Sequence, residues 1–152
     1  MIKYAKPIHV LLADDDKDDR FFFKKALGEI NLPTHFKSVH DGEQLMKHLY
    51  LHSNHLPDIL FLDLNMPRKN GSECLSEIKT DRKLAHLPVV IYSTSLNEEI
   101  ADILYEKGAH YYIRKHDFPE LKKLLYHFLN LFSERKFKRP SRDKFIFCPV
   151  AA

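Results

Sequence analysis

Ile59-Leu60-Phe61-Leu62-Asp63-Leu64-Asn65-Met66-Pro67 is the stretch that decides the fold. An apolar run that follows Pro57 and ends on a carboxylate reads as a buried strand, and Met66-Pro67 is turn chemistry. Ile8-His9-Val10-Leu11-Leu12-Ala13 reads the same way and stops at Asp14-Asp15. If these two strands lie side by side in a parallel sheet, Asp14, Asp15 and Asp63 converge at one sheet edge, where ligands bind in open α/β folds. At an effective dielectric of about 20, two such charges roughly 4 Å apart repel by about 4 kcal/mol, so the arrangement implies raised pKa values or a bound cation.

Outward from that stretch the chain alternates strand and helix. Asp18 to Ile30 reads as a helix with Phe23, Ala26, Leu27 and Ile30 as its inner stripe, stopped by Asn31-Leu32-Pro33. Thr34 to Val39 is a weaker strand, and a second amphipathic helix carries Leu45, Met46, Leu49 and Tyr50. Asn70-Gly71 opens a helix through Cys74, Leu75 and Ile78, after which Pro88-Val89-Val90-Ile91-Tyr92 is the clearest β run. Ser95 with Glu98 matches a capping box for a helix to about Lys107, ended by Gly108, which leaves Ser93 free. His110 to Arg114 is a short last strand, and Phe118 to Phe132 a helix with one apolar face. Five βα units predict an α/β fold, a parallel sheet with helices on both faces.

The 152 residues suit one domain with an adequate core and leave no room for a second folded output domain. The formal charge of +3 is uneven: residues 133–152 hold six Lys/Arg against two Asp/Glu, leaving the remainder near −1. A nucleic-acid-binding globule is thereby disfavoured, and any basic-patch role is confined to the tail. Pro140 and Pro149 block a continuous helix there, so 133–152 reads as an extension outside the domain. Phe145-Ile146-Phe147 is a candidate edge strand, partner contact or disordered segment. Cys74 and Cys148 lack metal-ligand spacing and suit a reducing cytosol. No signal peptide or membrane-length apolar run is evident, so a cytoplasmic location is expected.

Four features fall at strand ends: Asp14-Asp15, Asp63, Ser93 and Lys115. Mg²⁺ takes oxygen ligands, one or two carboxylates with waters and a phosphate oxygen. A lysine ammonium balances Asp63 and later a phosphoryl group, and the Ser93 hydroxyl can donate to a phosphate oxygen. Together they make a phosphoryl-accepting site with Asp63 as nucleophile, where catalysis is positioning plus charge neutralisation. The run Asp14 to Asp19 is not an EF-hand, because Asp19 stands where glycine is needed and Lys25 where the bidentate glutamate belongs. Asp16, Asp18 and Asp19 read as first-turn helix carboxylates outside the site. His52 with His55 reads as a solvated helix end rather than a metal pair.

From Ile8 to Phe132 the chain resembles the receiver domain of two-component response regulators. The resemblance rests on Leu11-Leu12-Ala13-Asp14-Asp15-Asp16, on Asp63-Leu64-Asn65-Met66-Pro67 with Gly71, on Val89-Val90-Ile91-Tyr92-Ser93, and on Gly108 to Lys115. It implies a doubly wound (βα)5, flavodoxin-like three-layer sandwich whose five-stranded parallel sheet has the order 2-1-3-4-5. It divides the chain into a receiver domain at 1–132 and a basic C-terminal extension at 133–152. Asp63 becomes the phosphoacceptor for a sensor histidine kinase or histidine phosphotransfer protein. Asp14, Asp15, Asp63 and the Asn65 carbonyl would hold Mg²⁺, Ser93 and Lys115 would meet the phosphoryl oxygens, and Ser93 and Tyr112 would be the switch pair. Output would pass to a downstream protein target through the face of the fourth helix, fifth strand and fifth helix, and a homodimer through that face is an analogy only.

Three positions depart from the common pattern. His116 replaces the usual proline after the lysine, so the peptide before it is expected to be trans. Thr94 stands where Ala or Gly is common, and Ser93 replaces Thr. These departures motivate a rival reading, a phosphorylation-silent pseudo-receiver that acts as a docking module. A hydrolase forming an aspartyl-phosphate would need a second acid two residues after Asp63, where Asn65 stands. The chain is therefore expected to be no enzyme, but a phosphoacceptor that assists its own modification.

Overall fold

The computed structural model describes residues 6–148. The elements run β1 (Ile8–Ala13), α1 (Lys17–Glu29), β2 (Thr34–Val39), α2 (Gly42–Leu51), β3 (Ile59–Leu62), α3 (Gly71–Thr80), β4 (Val89–Ser93), α4 (Glu98–Lys107), β5 (Tyr111–Arg114) and α5 (Phe118–Ser133). A 3₁₀ turn (Arg142–Lys144) and β6 (Ile146–Phe147) follow. The sheet order is β2-β1-β3-β4-β5-β6 and every pairing is parallel.

The central strands are apolar on both faces because both faces are covered. Val10, Leu12, Ile59 and Phe61 point to the layer of α1 and α5, where they meet Phe23, Leu27, Leu124 and Phe128. Leu11, Ala13, Leu60 and Leu62 point to the layer of α2, α3 and α4 and meet Leu45, Leu49, Leu75 and Leu104. This is the expected three-layer sandwich. Short polar side chains start the helices by taking free N–H groups of the first turn. Asp16, Asp41 and Asp117 do so for α1, α2 and α5, and Asn70 forms a capping box with Glu73 on α3.

The cap of α4 differs from the expectation. Asn97, not Ser95, receives the N–H groups of Glu99 and Ile100, at 2.8 and 3.1 Å. Ser95 is held in the preceding loop, where its carbonyl accepts the Tyr112 hydroxyl at 2.8 Å. The end of α4 is as read: Gly108 takes φ 106°, the left-handed conformation a glycine tolerates.

The strand order 2-1-3-4-5 is as expected, and the described part of 133–152 packs on the domain and adds β6 beyond β5, the edge-strand reading of Phe145-Ile146-Phe147. Through Phe145 to Phe147 the chain returns along β5, and the Tyr112 N–H donates to the Phe145 carbonyl at 3.0 Å. Phe145 is fully buried, 5.2 Å from the Tyr105 ring and 6.2 Å from the Tyr112 ring. Phe147 stacks on His127 of α5 at 4.6 Å. Arg142 bonds Glu98 and Asp102 of α4 at 2.8 Å each. Basic composition had suggested a solvated segment, but two of its arginines cover α4: Arg139 lies 3.7 Å over the Tyr105 ring beside the Arg142 ion pairs. Pairing also relieves β5 of an unsatisfied edge. Pro140 accepts the Tyr105 hydroxyl at 2.8 Å; Pro149 lies outside the described residues.

Candidate functional site

β1 and β3 are parallel neighbours with Ala13 opposite Leu62, so the residues that follow, Asp14 and Asp63, emerge side by side. The Asp63 N–H donates to the Ala13 carbonyl at 2.9 Å and holds the two strand ends together. Loop N–H groups then aim the carboxylates. Asp16 donates to Asp14 Oδ1 at 2.9 Å and Asn65 to Asp63 Oδ1 at 3.3 Å. Gly71 is required here, because a Cβ at this first residue of α3 would overlap the Asp63 carbonyl. One oxygen each from Asp14, Asp15 and Asp63 lies within 4.8 Å of the others. Asp14 and Asp63 are buried and Asp15 is exposed.

Lys115 reaches the cluster from the end of β5, where its N–H donates to the Ser93 carbonyl at 2.8 Å. Its ammonium is 2.8 Å from Asp14 Oδ2, 2.8 Å from Asp19 Oδ2 and 3.3 Å from Asp63 Oδ2. Burial alone would lower the lysine, but the Asp14 and Asp19 carboxylates more than reverse this and hold it protonated. One cation does not neutralise four carboxylates. Burial pushes the Asp63 carboxyl up to about 6, with Lys115 opposing and Asp14 adding to the rise. Burial likewise raises Asp14 despite the lysine.

The donor set fits a divalent cation. Asp14 Oδ2 meets the Lys115 ammonium at 2.8 Å as an ion pair without aligned hydrogen-bond geometry, which leaves lone-pair capacity for a further cation. All three carboxylates supply the hard oxygen donors that Mg²⁺, Ca²⁺ or Mn²⁺ accept.

The remaining expected residues are placed at varying distance from this centre. Asn65 is in it through its N–H bond to Asp63. Ser93 ends β4 fully buried, its Oγ accepting the Ser95 N–H at 3.4 Å, and no hydrogen bond joins it to Asp63 among the described residues. Tyr112 is also fully buried, its ring turned inward and its hydroxyl tied to the loop that carries Ser93. The Lys115–His116 peptide is trans, as expected. Thr94 is exposed and its carbonyl accepts from Arg114 at 3.5 Å.

Two residues of the site escaped sequence reading. Asp19 looked like a helix-dipole carboxylate, yet the cap at Asp16 sets its position in the first turn so that it meets Lys115, 96 residues away. Arg20 donates to the Asp14 carbonyl at 2.8 Å and fixes the loop from behind. No local pattern distinguishes Asp19 from Asp18; only the lysine's position does.

A parallel sheet that presents an acidic triad and a lysine at its C-terminal edge defines a phosphoacceptor receiver. Residues 10–126 match the family described as response regulator receiver domain, and the chain belongs to that family. Among characterised proteins it is similar to response regulator Rcp1 of Synechocystis, 32% identical over 113 residues that cover 72% of this chain and 77% of Rcp1. Among solved structures it is similar to the phosphorylated cyanobacterial phytochrome response regulator RcpA, at 32% identity and TM-score 0.77 over 90% of this chain and 100% of RcpA. The Mn²⁺-bound form of Rcp1 is similar at 28% identity and TM-score 0.75, covering 89% and 100% of the two chains.

Proposed function

We propose that this protein is a two-component response regulator in which Asp63 accepts a phosphoryl group from the phosphohistidine of a sensor histidine kinase or histidine phosphotransfer protein. The observation that carries this is the convergence of Asp14, Asp15 and Asp63 on one point with the Lys115 ammonium 3.3 Å from Asp63. An Asp63 carboxylate oxygen attacks phosphorus, the N–P bond of the donor breaks, and the electron pair leaves with the imidazole, which takes up a proton. Asp14, Asp15, Asp63 and the Asn65 carbonyl are the groups that would hold Mg²⁺, which supplies positive charge to the carboxylates and phosphoryl oxygens when bound. Lys115 balances charge as the carboxylate becomes an acyl phosphate, and the Ser93 hydroxyl, at the end of the neighbouring strand, would donate to a phosphoryl oxygen.

A switch role for Tyr112 is supported by its hydroxyl bond to the Ser95 carbonyl, two residues after Ser93: movement of Ser93 toward a phosphoryl group would pull on that carbonyl. Such a shift would reach a downstream protein target through α4, β5 and α5 as a change in population between two packings. The protein aids its own phosphorylation and dephosphorylation without acting on other substrates. A cytoplasmic site of action fits a kinase-fed acceptor, and no described helix is long and apolar enough to cross a membrane. Because RcpA is a phytochrome response regulator, a light-sensing histidine kinase is the first donor to try. The silent docking module has less support, since no group of the site is missing.

The test is incubation with Mg²⁺ and acetyl phosphate or phosphoramidate, followed by intact-mass analysis. One acid-stable, base-labile phosphoryl adduct is expected, absent in Asp63→Asn and without Mg²⁺. No adduct with any donor would reduce the protein to a docking module.

A further inference from the structure

The Lys115 ammonium is shared among three carboxylates, and only two of them belong to the acidic triad. It lies 2.8 Å from Asp14 Oδ2, 2.8 Å from Asp19 Oδ2 and 3.3 Å from Asp63 Oδ2. Asp14, Asp15 and Asp63 are the group whose oxygens lie within 4.8 Å of one another, and Asp19 is not in it. Asp19 stands in the first turn of α1, where its N–H donates to Oδ1 of the cap Asp16 at 3.0 Å. Its side chain is 33% exposed against 9% for Lys115, so it closes the solvent side of a nearly buried ammonium. The adjacent Asp18 is exposed and makes none of these contacts.

We propose that Asp19 is a positioning residue for phosphoryl transfer, the carboxylate that keeps the Lys115 ammonium beside Asp63 when a divalent cation occupies the triad. The proposal rests on the reading of Asp63 as phosphoacceptor. With a cation on the triad, the lone pairs of Asp14 and Asp63 turn to it and the ammonium is repelled, so both triad contacts of Lys115 weaken together. What remains is Asp19 at 2.8 Å and the Tyr92 ring, whose centroid is 5.3 Å from the ammonium. An aromatic face attracts a cation without fixing its direction, whereas a carboxylate accepts a directed, charge-assisted hydrogen bond. The backbone is no substitute: the Lys115 N–H is tied to the Ser93 carbonyl at 2.8 Å, but the four-carbon stem beyond it is flexible. With Asp19 in place, one ammonium proton is committed to α1 and two are free for phosphoryl oxygens as they arrive on Asp63. Without it, the ammonium loses its place or falls back on Asp14 and Asp63, where it competes with the cation.

Mg²⁺ affinity of the unphosphorylated full-length protein is measured by calorimetry in wild type, Asp19→Asn, Lys115→Met and the double variant. Asp18→Asn is the control, since it removes the same charge from the adjacent residue. Asp19→Asn should weaken Mg²⁺ binding about 10-fold, the scale on which loss of an orienting partner acts, and by more than Asp18→Asn does. In Lys115→Met the same substitution should act no more strongly than Asp18→Asn, because no ammonium is left to hold, and the cycle isolates that coupling. At saturating Mg²⁺, Asp19→Asn should form the acetyl phosphate adduct about 10-fold more slowly, with Asp19→Glu restoring part of the rate. Equal Mg²⁺ affinity in Asp19→Asn and Asp18→Asn, a loss as large in Lys115→Met as in wild type, or an adduct formed by Asp19→Asn as fast as by wild type would overturn the proposal. A wild type that forms no adduct while the cycle shows the coupling would count against the phosphoacceptor reading and leave the positioning intact. Circular dichroism checks that each variant folds, and Asp19→Ser serves if Asp19→Asn does not.

Discussion

Replacing Phe145 with alanine tests whether the C-terminal segment belongs to the receiver core. The ring is fully buried between Tyr105 and Tyr112 and shields both from water. Truncating a buried phenylalanine costs about 3–5 kcal/mol through lost transfer energy and the cavity left behind. In a chain of this size each kcal/mol moves the melting temperature by about 2–4 °C, so a fall of about 6–20 °C is expected. One structural feature limits the loss. Once the cavity costs more than docking gains, the segment detaches, so the penalty cannot exceed the free energy with which residues 134–148 bind the rest. The measurements are therefore urea unfolding at equilibrium together with limited trypsin digestion, since detachment frees Arg142 from Glu98 and Asp102 of α4. A loss below about 1 kcal/mol, within the range of ordinary surface substitutions, with tryptic cleavage after Arg142 as slow as in wild type, would refute the packing described.

Two further outcomes follow from the acidic cluster. With its folded value near 6 against an ordinary 3.8, Asp63 ionises at greater cost in the folded state, so it destabilises the metal-free protein fully above about pH 6 and not at all below about pH 4. At 1.36 kcal/mol per pH unit that interval is worth about 3 kcal/mol. Asp63→Asn in chelator should thus be more stable than wild type at pH 8 by up to that amount and lose the advantage by pH 4; thermal unfolding across that range checks it, and a constant difference would sink it. Lys115→Met removes the ammonium from among Asp14, Asp19 and Asp63, and stranding buried charges in this way costs about 3–5 kcal/mol. Mg²⁺ should restore part of the loss in a melting assay while adduct formation stays slow; a metal-free variant as stable as wild type would count against the site geometry.

Strand ends and the residues on them were legible because a buried strand announces itself as an apolar run and its ligand edge as the polar residue that stops it. Ile59 to Asp63, Ile8 to Asp15 and Val89 to Ser93 carry that signal without help from the rest of the chain. The cap of α4 was misread because Ser95 and Asn97 are both good caps, and the helix starts where Asn97 takes the first-turn N–H groups.

What the sequence determined by itself was the alternation of elements, the parallel sheet and the carboxylates at its edge, since these depend on hydrophobic period and local turn chemistry. Tertiary structure alone decided that Asp19 joins Lys115 and that Phe145 completes the core over β5. Each of these turns on which residues distant along the chain become neighbours. That is set by strand order and helix placement, and local propensity carries no record of it.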